Sequence, residues 1–553
     1  MDRARLLVAA ATAAFLLGLF SPEIYDTDFW WHLRTGQYIV NTRSLPSPDP
    51  FAWTTAGAPD AYAGESRTRQ FNLTHEWLAQ AGLYEVWRAA GFPGVVAARA
   101  LSMMVVCGLV GLIAWRRRQN WAASLFAALA AASVLVGLAY DRPYQVTFLF
   151  LAATLAILEY GRLPWLLPPV FLIWANCHGG YFLGWVALGA YCIESLMRRE
   201  RSVHLWMISA ACVLASAANP NGFAIFRTLL DYRGSFMQSK LLEWTPPSLW
   251  PPTWFSALLA AAAVVLALGW RKVRPADWLL FLAFAGASLT AQRNVFLTAI
   301  IAPIVVATYL PLPKMPRMAA PVGAVLLAIA TIAGAVRGPF FQFRVADWKF
   351  PSGAADFVLK NQIAGRMFNT YEYGGYLMWR LFPQQRVFID GRALSESVFQ
   401  DYARILYNHD SSDGLPSGEQ LLDSRGIDVI VMNTFEPSGG TIYLLAPALA
   451  DPNQHKFTLV YQDARALIFL RHPPPGIAPL DSLQVFTHME SECDSQIQHE
   501  PQYTRCARSL GQIFTRIGDF PRARKWVGIY LQHPHAPDPQ AEEAWQRLIG
   551  MGQ

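Results

Sequence analysis

Long apolar runs broken by short charged stretches fill the first ~340 residues, and the rest of the chain mixes apolar and polar positions as a soluble protein does. Runs long enough, or nearly so, to cross a bilayer fall at about 5–21, 95–115, 121–139, 144–160, 164–177, 180–197, 203–218, 253–270, 277–291, 294–310 and 318–336. The pattern predicts about eleven spans followed by a soluble tail. Basic residues set the orientation. Arg3 and Arg5 precede the first run, and Arg116, Arg117 and Arg118 follow the second. Arg198, Arg199 and Arg201 follow the sixth, Arg271, Lys272 and Arg274 the eighth, and Lys314 with Arg317 the tenth. All of these fall on one side, which the positive-inside rule makes the cytoplasm. The N-terminus is then cytoplasmic, and the tail from Gly338 is extracytoplasmic.

The expected organisation is a transmembrane domain over 1–337, with a long first external loop at 22–94, and an α/β domain over 338–478. In that domain the pattern gives helices at 351–359 and 372–381. Strands are expected at 366–369, Arg386–Asp390 and 427–432, with a closing hairpin from 457–461 and 466–470. Asp390 ends a strand where ligand-facing residues often sit, though Asp390-Gly391 is equally a turn signal. Helices at 503–514, 523–531 and 541–549 read as one tetratricopeptide-like unit over 479–553. A single unit cannot bury its own face, so it is expected to pack on the α/β domain.

Composition sharpens this. Of 553 residues 53% are hydrophobic and 15% charged, which suits a polytopic membrane protein. The net charge of +6 is no nucleic-acid signal, because the basic residues sit in short loops between apolar runs. Cys107, Cys177, Cys192 and Cys212 lie in or beside apolar segments, while Cys493 and Cys506 can pair if the tail's side is oxidising. No metal-type Cys/His spacing occurs.

The outer face collects the chemistry. Tyr25-Asp26-Thr27-Asp28-Phe29-Trp30-Trp31-His32 follows the first span, and an acidic pair so close to hydrocarbon calls for a metal, a cation or a proton to be moved. His75-Glu76-Trp77 comes later in the same loop. Then follow Asp141-Arg142, His178, Glu243-Trp244 and Gln292-Arg293-Asn294 at later outer breaks. The inner face has Arg, Lys, Pro and little else. Plainer roles also exist: Trp and His as interfacial anchors, Asp141-Arg142 as a local ion pair, Asn219-Pro220-Asn221-Gly222 as a turn. Within the long loop, 54–69 is small and polar, and the apolar spacing of 73–87 suits a helix on the bilayer surface.

The plan resembles the GT-C class of membrane glycosyltransferases. Asp26 to His32, Thr35-Gly36, Asp49-Pro50-Phe51 and His75-Glu76-Trp77-Leu78 carry the resemblance. The runs Phe368 to Leu377 and Val387 to Arg392 are similar to a bacterial branch grouped with that class. The Trp-Trp-Asp-Tyr-Gly signature of oligosaccharyltransferases is absent, which argues against whole-glycan transfer to asparagine. The resemblance implies a polyprenyl-phosphate sugar donor and a glycan or protein acceptor. It places the reaction on the outer face of a bacterial inner (plasma) membrane, among membrane lipid. It also implies a catalytic acid in the first loop, here Asp26 or Asp28. A carboxylate in reach of an acceptor hydroxyl can take its proton as the new bond forms. Arg142 and Arg293 are then candidates to meet the leaving phosphate. Trp31, His32, His75, Glu76, His178, Glu243 and Asn294 are the remaining substrate-binding candidates. Alternatively Asp26 and Asp28, with Glu76 or His75, hold a divalent cation such as Mg or Mn. The competing class is a transporter or non-catalytic scaffold, against which stand clean apolar spans and no internal repeat.

Overall fold

In hydrocarbon a backbone can satisfy its polar groups only within a helix or a closed barrel, so the Ala/Leu/Val runs are expected to be helical. The computed structural model describes residues 3–550 apart from 201, 233–234, 238–240, 314–315, 317 and 438. Arg201, Lys314 and Arg317, used above for orientation, lie outside the described residues. The chain divides into two units, residues 1–48 with 60–345, and residues 49–59 with 346–553.

The first unit begins with α1 (Arg3–Leu19), α2 (Phe29–Thr42), α3 (Glu65–Thr74), α4 (Trp77–Arg118) and α5 (Trp121–Leu135). Then come α6 (Tyr144–Tyr160), α7 (Leu167–Cys177), α8 (Phe182–Met197), α9 (Val203–Ser216) and α10 (Ile225–Asp231). It ends with α11 (Trp254–Leu268), α12 (Pro275–Thr290), α13 (Val295–Tyr309) and α14 (Ala319–Arg337). Each of the eleven runs lies on one of these helices. Among the described residues five helical segments are long and apolar enough to cross a membrane, and shorter apolar helices accompany them, so the chain is a multi-pass membrane protein. Helix α13 is buried on every face from Val295 to Ala307, as an all-apolar helix at the centre of a bundle must be. Helix α14 packs against α1 and leaves Val322, Val325, Leu326, Ile329 and Ile332 exposed, a surface suited to lipid.

The first connection holds more order than its composition suggested. Helix α2 buries Phe29, Trp30, Trp31, His32 and Leu33 against the unit. It lies so close to α4 that a Cβ on Gly36 would sit 2.0 Å from the Gln80 carbonyl oxygen. The segment 54–69 contributes the first turn of α3. The surface helix expected over 73–87 instead starts at Trp77 and runs on into the span. Its direction breaks at Gly91 (φ 62°), two residues before Pro93. Backbone bonds from Ile24 to Arg344 O (2.9 Å) and from Gln342 to Ser21 O (2.8 Å) tie the end of the unit to the exit of α1.

The bundle end opposite the acidic pair is not the Arg, Lys and Pro surface expected. Arg117, closing α4, binds Glu159 at the end of α6 and Asp277 at the start of α12. Arg274 binds Glu159 and Glu194 at 2.8 Å each, and the Tyr309 hydroxyl donates to Asp277. Single acids in the last or first turn of an apolar run carry no signal until distant helix ends meet.

In the second unit a four-stranded sheet has the order β1 (Arg366–Asn369), β2 (Ile427–Met432), β4 (Leu467–Leu470), β3 (Thr458–Gln462). Strand β1 is parallel to β2; β4 is antiparallel to both β2 and β3. Around it lie α15 (Ser352–Lys360), α16 (Tyr371–Leu381), α17 (Glu396–Leu406), α18 (Gly418–Ser424) and α19 (Leu445–Leu449). The C-terminal helices are α20 (Gln484–His499), α21 (Arg505–Arg516), α22 (Phe520–Gln532) and α23 (Pro539–Gly550). Val485, Leu510, Phe514 and Trp526 share one core with Phe368, Ile430 and Phe469, so helices and sheet are continuous. Cys493 and Cys506 form a disulfide.

Arg386–Asp390 is not a full strand. It makes one parallel bridge, Val387 to Ala52. The Asn369 side chain takes up the neighbouring backbone, accepting from Phe388 N (2.8 Å) and donating to Ile389 O (2.8 Å). Asp390 does not face a ligand crevice: Arg392 binds it at 2.7 Å through Nε and Nη2, and binds Asp49 at 2.9 and 3.1 Å. All three side chains are buried, so the group staples 49–59 to the rest of the second unit.

Candidate functional site

Two polar clusters meet on α2 in the first unit. In the first, the chain leaves α1 and turns at Asp26, whose Oδ1 accepts from the Asp28 amide at 3.3 Å. Arg142, just before α6, then grips both acids. Its Nε and Nη2 donate to the two oxygens of Asp26 at 2.5 and 2.6 Å, and its Nη1 lies 2.8 Å from Asp28 Oδ2. A planar guanidinium suits this fork geometry better than an ammonium would. Glu243 stands 3.6 Å from Arg142 on one side and 3.6 Å from Arg293 on the other. Arg293 lies over the Trp244 ring at 4.6 Å.

The two acids differ in proton affinity. Burial pushes both upward, but for Asp26 the Arg142 charge and its hydrogen bonds win and hold the carboxyl below the ordinary range. For Asp28 burial wins: with Asp26 and Glu243 adding repulsion, it is pushed up to about 7 despite Arg142. Asp141 does not pair with its neighbour Arg142. It pairs with Arg99 of α4, whose Nε also donates to Phe20 O at 3.1 Å, and burial pushes this acid up to about 6. Arg99 was missed in the sequence because it sits inside an apolar run.

The second cluster surrounds Glu76. His75 Nε2 lies 3.4 Å from it, His32 Nδ1 3.6 Å and His178 Nε2 3.8 Å. His32 is four residues beyond Asp28, with its amide on the Asp28 carbonyl at 3.3 Å, so α2 joins the clusters. Burial pulls His32 and His178 down to about 3, leaving both neutral at neutral pH. Burial raises Glu76, but the surrounding histidines, His75 foremost, outweigh it and hold the acid well below the usual range. Gln80 meets His32 Nδ1 at 3.2 Å, and Thr147 meets His178 Nδ1 at 2.7 Å. Gln80 was legible, one helical turn beyond Glu76; Thr147, deep in an apolar run, was not.

The Trp31 ring lies beside that of His32, centres 3.4 Å apart and planes tilted by 34°. Asn294 is not drawn into either cluster: its amide donates to Ala287 O at 3.0 Å and closes the turn between α12 and α13. Nor do the acids fit a divalent cation as arranged. A guanidinium occupies both oxygens of Asp26 and one of Asp28. Among the described residues no group of three His, Cys, Asp or Glu side chains has metal-holding geometry.

No family model and no curated protein matches the chain. Solved structures do. The archaeal oligosaccharyltransferase AglB from Archaeoglobus fulgidus, in complex with an inhibitory peptide and a dolichol-phosphate, aligns with a TM-score of 0.53 at 9% identity. The alignment covers 87% of this chain and 77% of AglB. ArnT from Cupriavidus metallidurans, bound to undecaprenyl phosphate, aligns with a TM-score of 0.48 at 14% identity over 84% of this chain and 97% of its own. The chain has the fold of the GT-C membrane glycosyltransferases.

Proposed function

We propose that this GT-C-fold protein is a glycosyltransferase that moves a sugar from a polyprenyl phosphate to an acceptor hydroxyl on the extracytoplasmic face. The reading is carried by the convergence of Asp26 and Asp28 on Arg142. In it, Asp26, held below the ordinary carboxylate range by Arg142, is the partner that fixes the guanidinium, and Asp28 is the base. A carboxyl near pH 7 in proton affinity suits general-base work at neutral pH. The acceptor oxygen bonds to the anomeric carbon, its proton passes to Asp28, and the bond from that carbon to the phosphate oxygen breaks. The phosphate leaves with the electron pair. Arg293, a third exposed and among the described residues paired with half-exposed Glu243, is the cation assigned to that charge. No step runs through a metal, because Arg142 already fills the acid pair. The disulfide supports an oxidising, extracytoplasmic side for the second unit.

The test is binding and turnover on the purified full chain. Polyprenyl phosphate is expected to bind, and Arg293→Gln to weaken that binding about tenfold. A polyprenyl-phosphate monosaccharide is expected to lose its sugar to an acceptor. A chain that binds neither lipid is no such transferase.

A further inference from the structure

The second unit contains a cavity of about 630 Å³ bounded by α21, the 439–444 segment and the turn at 536–538. Its size lies within the roughly 300–1,000 Å³ of small-molecule sites. At about 3.6 residues per turn, Arg505, Arg508, Ser509, Gln512 and Arg516 form one stripe of α21, and all five line the cavity. Arg508 is neutralised by Asp538, which also accepts from the Tyr530 hydroxyl at 3.2 Å. Arg505 and Arg516 make no ion pair among the described residues. They stand ~16 Å apart along the helix at ~1.5 Å per residue.

The cavity is built. Ser509 donates to Gly440 O at 2.7 Å, fixing the opposite wall to α21. Gly440 has φ 63°, and a Cβ there would lie 2.4 Å from Cys506 N, so only glycine allows this approach. The Cys493–Cys506 disulfide anchors the same end of the helix. Two separated guanidiniums fit two anionic groups on one extended ligand, and Ser509, Thr441, Gln512 and the Tyr407 ring suit a hydroxyl-bearing body between them.

We infer that this cavity binds an acidic oligosaccharide, with carboxylates on Arg505 and Arg516. The preference for a saccharide over a peptide rests on the glycosyltransferase reading; the charge spacing does not. A short oligogalacturonate titrated into the purified full chain is expected to bind, with affinity falling as salt rises, while a neutral malto-oligosaccharide does not. Arg505→Gln with Arg516→Gln is expected to weaken binding about a hundredfold, roughly tenfold for each guanidinium. Both side chains are exposed, so the unfolding midpoint should hold; Arg516→Lys, which keeps the charge and loses the fork, should show an intermediate loss. The inference fails if oligogalacturonate does not bind, if the double variant binds it equally, or if oligoglutamate binds as well. A chain that binds oligogalacturonate as expected but no polyprenyl phosphate would refute the transferase reading and leave the cavity's role standing.

Discussion

Replacing the two first-connection acids one at a time separates a structural carboxylate from a chemical one. Asp26 is 4% exposed at its side chain and holds two guanidinium bonds. Asp26→Asn removes the charge and leaves the half-buried Arg142 with only Asp28 and Glu243 against it, a change expected to cost about 3 kcal/mol. Asp28 is the opposite case. Its proton affinity corresponds to about 7 against an ordinary 3.8, so at about 1.4 kcal/mol per tenfold, holding it ionised costs the fold about 4 kcal/mol. Asp28→Asn removes that cost, and the variant is expected to be as stable as the parent or more so, yet inactive. The sign in pH is equally specific. A carboxyl whose proton affinity is raised by folding binds its proton in the folded state first. The Asp28 contribution to stability therefore falls as pH rises from about 4 to about 7 and is level above that. Asp28→Asn lacks this slope, and the opposite contribution of His32 and His178 cancels in the difference. Thermal unfolding of both proteins across that range, with radiolabelled sugar transfer in the same membranes, is the assay. Equal destabilisation by the two substitutions, identical pH slopes, or undiminished transfer by Asp28→Asn would refute the reasoning.

Transfer by the parent is expected to rise with pH through about 7 as Asp28 loses its proton, which initial rates in buffered membranes would show. Arg117→Ala should lower stability by about 3 kcal/mol without changing that pH profile, since it takes the cation from buried Asp277 and leaves Glu159 paired with Arg274, at the end of the bundle away from the acid pair. Cys493→Ser with Cys506→Ser should cost about 3 kcal/mol, the loop-closure value for a 13-residue separation, read from denaturant unfolding of the tail.

The spanning helices were legible because their apolar runs are long and nearly free of charge, and the hairpin of β3 and β4 because two short apolar runs flank the polar turn Gln462-Asp463-Ala464-Arg465. Helix α2 was not: Phe29-Trp30-Trp31-His32 reads as an interfacial anchor until Gly36 shows how closely it lies on α4. The outer residues Asp26, Asp28, Arg142, Glu243 and Arg293 could be assigned to one face from loop charges alone. Which acid meets which base could not, as Asp141 turning away from Arg142 to Arg99 makes plain. Arg386–Asp390 has a strand's composition, but a single side chain, Asn369, takes the bonds a ladder would have used.

The Asp49–Arg392 contact spans 343 positions. At a synthesis rate of about 5–20 residues per second, residues 49–59 wait about 20–70 s for their partner to leave the ribosome. Throughout that interval Asp49 has no guanidinium and must stay hydrated, while the helices on either side of it are already being inserted. A version of this protein truncated before residue 346 would keep that strip permanently unpaired, so the membrane part should be harder to produce alone than its own packing suggests.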